Sequence, residues 1–486
     1  MIVARDLLPV VPALLLVVTG LAVILLEAFT RRPERSSQPH CAVSLAGLAL
    51  AFVATWLIPL PGGCRPCVAN LGGSVVGDGL ARFLALLLIA TAAGVVLLAK
   101  EYGRKTGTGR GEVYGLMLFA VAGMLGLVSA VELVSLFVAL EIMSVSLYAL
   151  AGMRRAQAQS QEAALKYFVT GAFSSAFLLY GIALLYGVTG TTNLAGIAAA
   201  LASPARESGT LAVALGLLLV GFGFKIGSVP FHMWVPDVYE GAPTTVTALM
   251  AAGVKAAAFG ALLRVSFVGL APLAHKWQPV LAALAILSMV VGNLAALAQS
   301  NLKRMLAYSS VAHAGYMLTA FVATPALAVE AVVFYLAGYA AVSVGAFGAL
   351  AALAREDREP TTLADIAGLA ERRPALAAAI AIFMFSLTGV PVTAGFVGKL
   401  MVFKAAVAGG WVVLALTGVV MSVVSAYYYL RVVVAMYMQT PTEEQWPRVD
   451  VAAATALALA ALAILWLGVY PGPVLDWART AALFLK

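Results

Sequence analysis

Apolar runs of about 20 residues recur along the whole chain, and they constrain the fold more than any other feature. Each run is long enough to cross about 30 Å of hydrocarbon as a helix, and the alternation that is typical of a membrane β-barrel is absent. Of the 486 residues, 63% are hydrophobic and 11% are charged, which is too little charge to cover a water-soluble protein of this size. The sequence therefore predicts an all-α, polytopic membrane protein.

Charged residues and Pro/Gly breaks divide the apolar sequence into about fourteen predicted transmembrane helices. The first run has two arginines after it and no small-residue cleavage site, so we interpret it as a retained helix rather than a signal peptide. No soluble domain is predicted between the helices. The predicted spans are approximately 8–29, 42–60, 79–100, 113–130, 131–152, 162–187, 210–238, 243–268, 279–298, 304–322, 327–354, 374–408, 411–437 and 450–470.

The basic residues lie mostly in alternate loops, about sixteen in one set against about five in the other. The net charge of +8 is therefore a signal of membrane topology rather than of nucleic-acid binding. The positive-inside rule makes the richer set cytoplasmic, and an even number of helices then places both termini on the outer side of the membrane.

The three cysteines lie in the first seventh of the chain, and two of them form a single CxxC motif in a Pro/Gly-rich loop. One such motif cannot build a tetrahedral zinc site alone, so no metal site is predicted. A local disulfide between Cys64 and Cys67 and an incidental pair both remain open.

Five ionisable side chains fall inside predicted helices, where a charge costs about 2.5–3.5 kcal/mol at the helix centre. Lysine suits proton transfer because burial makes its neutral form accessible, whereas an arginine stays charged. The alternative is that the lysines extend to the membrane surface and the glutamate is a neutral, hydrogen-bonded core group. The five residues are Glu141, Lys166, Lys225, Lys255 and Lys399. For Lys166, which lies near the start of its helix, both interpretations remain open.

Two histidines are further candidates. His232 follows a Pro-Phe pair, and His313 lies near the start of its predicted helix. For each of them, a structural role and membership of a proton relay both remain open.

Two long segments carry a proline in the middle of apolar sequence, Pro230 near Lys225 and Pro391 near Lys399. Proline frees backbone groups that survive at membrane depth only beside protein or water, so each segment is predicted to be a broken helix. The breaks lie about five helices apart, a pattern typical of inverted repeats in transporters. We predict three N-terminal helices (1–110), a first five-helix repeat (111–270), a second, inverted repeat (271–440) and a C-terminal helix (441–486). Two unrelated proline kinks are the alternative.

Four motifs carry a more specific signal: Glu141 with residues 144–148, residues 162–168, the stretch PFHMWVPDVYEGAPT at 230–244, and residues 301–310. Together they resemble the antiporter-like membrane subunits of respiratory complex I, the NADH-quinone oxidoreductase. The surroundings of Lys399 and the run at 425–431 resemble the N type, the counterpart of the second mitochondrially encoded NADH dehydrogenase subunit. The L type carries an additional lateral helix, and the M type usually has a glutamate at the position of Lys399.

The resemblance implies a proton-translocating subunit that couples NADH oxidation and quinone reduction to proton pumping. The chain would then be part of a translocase enzyme without holding a redox centre itself. A relay of ionisable groups is implied within the membrane, with His232 bridging Lys225 and Lys255. The relay consists of Glu141, Lys166, Lys225, His232, Lys255 and Lys399.

The resemblance also implies a role for each member of this relay. Lys225 is the central lysine on the broken helix, Lys255 relays on the next helix, and Lys399 is nearest the exit. Glu141 is expected to pair with the Lys166 region, and this pair would change the cost of a proton on Lys225.

The expected partners follow from the same resemblance. They are other complex I membrane subunits, above all the M-type subunit and the small K and J subunits, together with the lipid bilayer. NADH, FMN, iron–sulfur clusters and quinone are expected on partner subunits, so no cofactor is predicted in this chain. A subunit of a multisubunit cation/proton antiporter is the first alternative, and a structural membrane scaffold is the second.

Overall fold

The computed structural model describes residues 4–29, 37–58, 72–203, 208–356, 359–441 and 446–482. Within these ranges twelve helical segments are long and apolar enough to cross a membrane. A shorter helix, Leu302–Leu318, and a broken pair, Pro374–Thr388 with Ala394–Ala408, bring the membrane crossings to fourteen. The prediction of a polytopic all-α protein is confirmed. Cys64 and Cys67, and with them the question of a disulfide, lie outside the described residues.

The chain runs back and forth through short connections, and two of its crossings contain short helical pieces rather than one continuous helix. The helices are α1 (Val11–Phe29), α2 (Ser37–Leu57), α3 (Gly79–Thr106), α4 (Gly111–Ser129), α5 (Leu133–Ala151), α6 (Ala158–Thr189), α7 (Leu194–Leu201), α8 (Gly209–Ile226), α9 (Trp234–Gly241), α10 (Thr244–Leu249), α11 (Lys255–Arg264), α12 (Ala274–Leu297), α13 (Leu302–Leu318), α14 (Pro325–Ala352), α15 (Leu369–Arg372), α16 (Pro374–Thr388), α17 (Ala394–Ala408), α18 (Val412–Met438), α19 (Val451–Val469) and α20 (Gly472–Ala481).

Both predicted helix breaks are present, and glycine ends the first half of each. Gly227 after α8 and Gly389 after α16 have φ values of +72° and +92°, a left-handed conformation that glycine adopts without a steric penalty. Each glycine N–H donates to carbonyl groups in the last turn of the preceding helix, as in other glycine C-caps. The breaks therefore satisfy part of the backbone that a membrane helix cannot leave unpaired.

The starts of α5 and α13 are built alike. Glu132 caps α5 by accepting hydrogen bonds from two backbone N–H groups, and Asn301 caps α13 by accepting one. Glu132 also forms an isolated β-bridge with Asn193, as Asn301 does with Thr362. Between the two starts, the chain forms five helical segments that are long and apolar enough to cross a membrane.

The centre of the protein is the crossing made of α10, a π-helical turn at Met250–Val254, and α11. In its most apolar 18-residue stretch, 100% of the residues are buried inside the protein. The corresponding shares for Leu7–Phe29 and Val412–Met438 are 22% and 33%. Helix α14 packs against α3, α10, α16, α17 and α19 and is also largely buried. Polar groups on α10, α11 and α14 are therefore shielded from lipid by other helices of this chain.

A buried ion pair joins the end of α11 to the start of α3. Arg264 donates from Nη1 to Asp78 Oδ2 at 2.6 Å and from Nη2 to Oδ1 at 2.9 Å, and neither side chain is more than 4% exposed. Asp78 also caps α3 by accepting from the Ala81 N–H at 2.8 Å. This two-bonded geometry fixes the ends of two central helices against each other.

Candidate functional site

Lys225 lies in the last turn of α8, immediately before the first helix break, and is 3% exposed. Its Nζ donates to Ser144 Oγ at 2.7 Å and to the Tyr148 hydroxyl at 3.4 Å, both on α5. The ammonium also lies 5.6 and 6.0 Å from the ring centroids of Tyr148 and Tyr167. Hydroxyl groups and aromatic faces thus surround this buried amine.

Glu141 lies one turn before Ser144 on α5 and is half-buried. Its Oε1 accepts a hydrogen bond from Ser175 Oγ on α6, and its charge acts on Lys225. Among the described residues, the acid and the lysine therefore interact electrostatically without forming a direct salt bridge.

Lys255 begins α11, directly after the π-helical turn, and is 3% exposed. Its Nζ donates to Ser310 Oγ at 2.6 Å and to the Ser310 carbonyl oxygen on α13. It also lies 5.1 Å from the ring centroid of Tyr339 on α14. A π-turn is a frequent feature of functional sites, and here it precedes the lysine at the centre of the protein.

His313 follows Ser310 by one turn on α13 and is buried. Its Nδ1 lies 2.7 Å from the Tyr335 hydroxyl and its Nε2 lies 3.2 Å from the Tyr429 hydroxyl. The imidazole interacts electrostatically with both Lys255 and Lys399. His313 is therefore an ionisable group between these two lysines.

Lys399 lies on α17, just after the second helix break, and is 5% exposed. Its Nζ donates to the Thr388 carbonyl oxygen at 2.8 Å and lies 4.9 Å from the ring centroid of Tyr316. A cavity of about 10 Å³ lies nearby, lined in part by His313 and Tyr335. This volume is close to the smallest that holds one water molecule.

The three deep lysines share one chemical environment. Among the described residues, none of Lys225, Lys255 and Lys399 has a carboxylate within salt-bridge distance, and each donates to a hydroxyl or a carbonyl oxygen. A buried ammonium without a salt-bridge partner is costly, which makes the neutral amine accessible at these positions. The arrangement can hold a proton at several places.

The comparisons with known proteins agree with this chemistry. Residues 130–425 match the family model described as "NADH:quinone oxidoreductase/Mrp antiporter, TM". The NADH-quinone oxidoreductase subunit N of Trichlorobacter lovleyi is 43% identical over 474 residues, which cover 97% of this chain and 96% of that protein. The chain belongs to the subunit N family of NADH-quinone oxidoreductase.

Solved structures support the same family. A chain of respiratory complex I from Thermus thermophilus with bound aureothin is 39% identical to this subunit N family member, with a TM-score of 0.81. The match covers 96% of this chain and 98% of that one. A chain of the Mrp complex from Dietzia sp. has a TM-score of 0.85 at 23% identity, with 100% of this chain and 98% of that chain covered, and shows a shared fold.

Lys166 does not pair with Glu141 in this subunit N family member, and that expectation was wrong. Its Nζ lies 2.7 Å from Glu162 on the same helix and 2.7 Å from Asp237 on α9, and its side chain is 44% exposed. Lys166 therefore belongs to a partly exposed ion-pair cluster with Arg304, which also contacts Asp237. The electrostatic partner of Glu141 among the lysines is Lys225.

His232 does not bridge Lys225 and Lys255 either. It is half-buried in the turn between α8 and α9, and its ring centroid lies 6.4 Å from that of Tyr308. Among the described residues it forms no hydrogen bond with either lysine. His313, whose role the residues alone left open, lies instead between Lys255 and Lys399.

The hydroxyl groups of the site were missed at the sequence level. The signal that could have found them is a set of tyrosines and serines at helical spacing inside apolar runs, such as Tyr335 and Tyr339 one turn apart on α14. The missed residues are Ser144, Tyr148, Ser175, Ser310, Tyr335, Tyr339 and Tyr429.

Proposed function

We propose that this chain is the proton-translocating N-type subunit of an NADH-quinone oxidoreductase and that protons pass through its buried lysines. The observation that carries the proposal is the set of three lysines, each at most 5% exposed and each bonded to neutral oxygen atoms. Family membership supports the same role. The enzyme's redox chemistry would take place on partner subunits, and this chain would supply the acid–base groups.

The contacts suggest a route through the second half of the protein. A proton on Lys255 is already hydrogen-bonded to Ser310, and His313 is one turn away on the same helix face. The imidazole contacts the Tyr335 hydroxyl, and His313 and Tyr335 both line the small cavity, which also includes Gly398 next to Lys399. In the first half, Glu141 would set the charge on Lys225, because a neighbouring carboxylate favours the ammonium form.

We also propose that residues 111–270 and 271–440 are inverted repeats. The matching glycine-capped breaks and the matching starts of α5 and α13 support this. Residues 1–110 and 441–486 would flank the two repeats. The excess of basic residues in alternate loops supports a cytoplasmic location for those loops and a periplasmic location for both termini.

The proposed partners are the other membrane subunits of the complex, in particular the M-type, K and J subunits. The structural match to a chain of an intact respiratory complex supports assembly of this kind. Large apolar side chains on the outer faces of α1, α6 and α18 are exposed in the isolated chain and would contact lipid or such partners. Quinone, NADH, FMN and iron–sulfur clusters would bind elsewhere in the complex.

Two lysines on α17 give a matched test of the proposal. Lys399 is 5% exposed at the second break, whereas Lys404 lies five residues later and is exposed. We expect Lys399→Met to lower NADH-driven proton pumping by about tenfold or more, because proton-transfer groups contribute at least that much to rate. Lys404→Met should pump like the parent. Fluorescence quenching of a pH probe in inside-out vesicles measures both, and equal pumping by the two variants would refute the proposal.

The cation/proton antiporter is distinguished by its energy source. An antiporter exchanges sodium or potassium for protons in vesicles without an electron donor. We expect no such exchange by the purified complex in the absence of NADH, and the same preparation should acidify vesicles once NADH and quinone are supplied.

A further inference from the structure

Glu359 lies in the connection between α14 and α16, and its carboxylate is almost fully buried at 8% exposure. Oε1 accepts from the Tyr102 hydroxyl and from Arg154 Nη1, the latter at 2.6 Å. Oε2 accepts from Thr244 Oγ1 at 2.8 Å and lies 3.3 Å from Lys303 Nζ. One carboxylate thus receives four donors.

The four donors come from four different parts of the fold: α3, the connection between α5 and α6, the first residue of α10 and the first turn of α13. Burial raises the pKa of the Glu359 carboxyl, but the charges of Lys303 and Arg154 outweigh burial and hold this pKa below its usual range. Glu359 is therefore an ionised counter-charge for two buried cations.

The Asn-Leu-Lys-Arg motif at 301–304 contributes to the same cluster of side chains. Lys303 also donates to the Ala242 carbonyl oxygen at 2.8 Å, and the adjacent Arg304 lies 2.7 Å from Asp237 and 2.9 Å from Glu240. Two neighbouring cations of α13 therefore bind the end of α9 and the residue that follows it, where the chain turns into α10. This corner is where the broken helix passes into the Lys255-bearing crossing.

The helices that meet at Glu359 are those that carry the proton-transfer contacts. Thr244 lies eleven residues before Lys255, about three helical turns away, and Lys303 lies seven residues, about two turns, before Ser310. Fixing the two helix starts against one carboxylate fixes their relative register. That register decides whether the Lys255 ammonium reaches Ser310.

We infer that Glu359 is a positioning residue for proton transfer, which clamps the starts of α10 and α13 so that Lys255 stays on Ser310. This inference rests on the proposed function of the chain. Through Arg154 the same carboxylate also reaches the end of α5, the helix whose Ser144 holds Lys225. Glu359 thereby links the lysine sites of both halves.

The test compares Glu359→Gln with Glu356→Gln, an exposed glutamate three residues earlier in the same connection. Both variants are examined in membrane vesicles that contain the whole complex, with pumping normalised to the amount of assembled complex. We expect Glu359→Gln to pump about two- to tenfold more slowly per complex, with fewer protons moved per electron. Glu356→Gln should match the parent, and Glu359→Asp should recover part of the loss because it keeps the charge.

A structural role alone would lower the amount of complex and leave the protons moved per electron unchanged, so that result would overturn the inference. If Glu359→Gln does not assemble, Tyr102→Phe decides, because it removes the hydroxyl that links Glu359 to the Thr244 N–H at the start of α10 and leaves every charge paired. Normal pumping by Tyr102→Phe would then overturn the inference, and reduced protons per electron would support it.

Lys255→Met is measured alongside. If that variant pumps normally, the proposed function fails; if it does not pump while the Glu359 variants pump normally, only this inference fails.

Discussion

Lys225→Met is expected to abolish most NADH-driven proton pumping while leaving the complex assembled. Methionine keeps the length and the apolar stem of the side chain, and no carboxylate loses a salt-bridge partner, so folding should be preserved. The proton carrier next to the first helix break is lost, which should reduce pumping by about tenfold or more. Quinone reduction that depends on pumping should slow as well. The measurement is protons moved per electron in vesicles given NADH.

Lys166→Met is the control for this experiment. Lys166 is also a lysine in a membrane helix, but it is 44% exposed and already paired with two carboxylates. Because exposed ion pairs contribute little to stability, this variant should assemble normally and keep most of its pumping. A Lys225→Met complex with the parent's protons per electron, or a Lys166→Met complex as inactive as Lys225→Met, would contradict the assignment of roles.

The second large effect concerns stability. Arg264→Met should lower the free energy of unfolding by about 3–5 kcal/mol, because it leaves the buried Asp78 carboxylate without its partner. The variant complex should appear in the membrane in reduced amounts and lose its structure at a lower temperature. Native gel electrophoresis of membrane extracts and thermal unfolding in detergent measure these two outcomes.

Two further variants test whether the loss of stability comes from the burial of the ion pair or from its presence alone. Arg104 forms a similar two-bonded contact with Glu101, at 2.6 and 3.0 Å, but its side chain is 61% exposed, so Arg104→Met should cost only about 0–1 kcal/mol. The double variant Asp78→Asn/Arg264→Met removes both charges and should regain part of the loss. A double variant less stable than Arg264→Met alone would mean that the lost packing, and not the orphaned charge, sets the cost.

The fold could be predicted from the sequence because the bilayer imposes a length on every crossing. The apolar runs gave the number of crossings, and the prolines at 230 and 391 gave both breaks, since a membrane helix tolerates a broken backbone only where other groups satisfy it. The buried positions of Lys225, Lys255 and Lys399 followed from their depth in these runs. Each of these properties depends on the sequence of one segment and not on how the segments pack together.

The contacts between segments could not be predicted in the same way. Whether Glu141 faces Lys166 or Lys225 depends on how α5, α6 and α8 rotate and pack, and the spacing along the chain does not encode that rotation. The resemblance implied His232 as the bridge and the residues alone left His313 open, yet packing places His313 between Lys255 and Lys399. The tyrosine hydroxyls were missed because a tyrosine in an apolar run looks like any other core aromatic residue.

The π-helical turn before Lys255 sets the direction in which this side chain points. A π-turn holds one residue more than the α-helical spiral would at that place, so every side chain after it is displaced by about 100° around the helix axis. If Met250–Val254 wound as an ordinary α-helix with the same number of residues, Lys255 would turn by about 100° around the helix axis and its amine would lose Ser310. The hydrogen bond between Lys255 and Ser310 thus depends on how the backbone winds in the turn before the lysine, and a change of winding that alters no charge would be enough to break it.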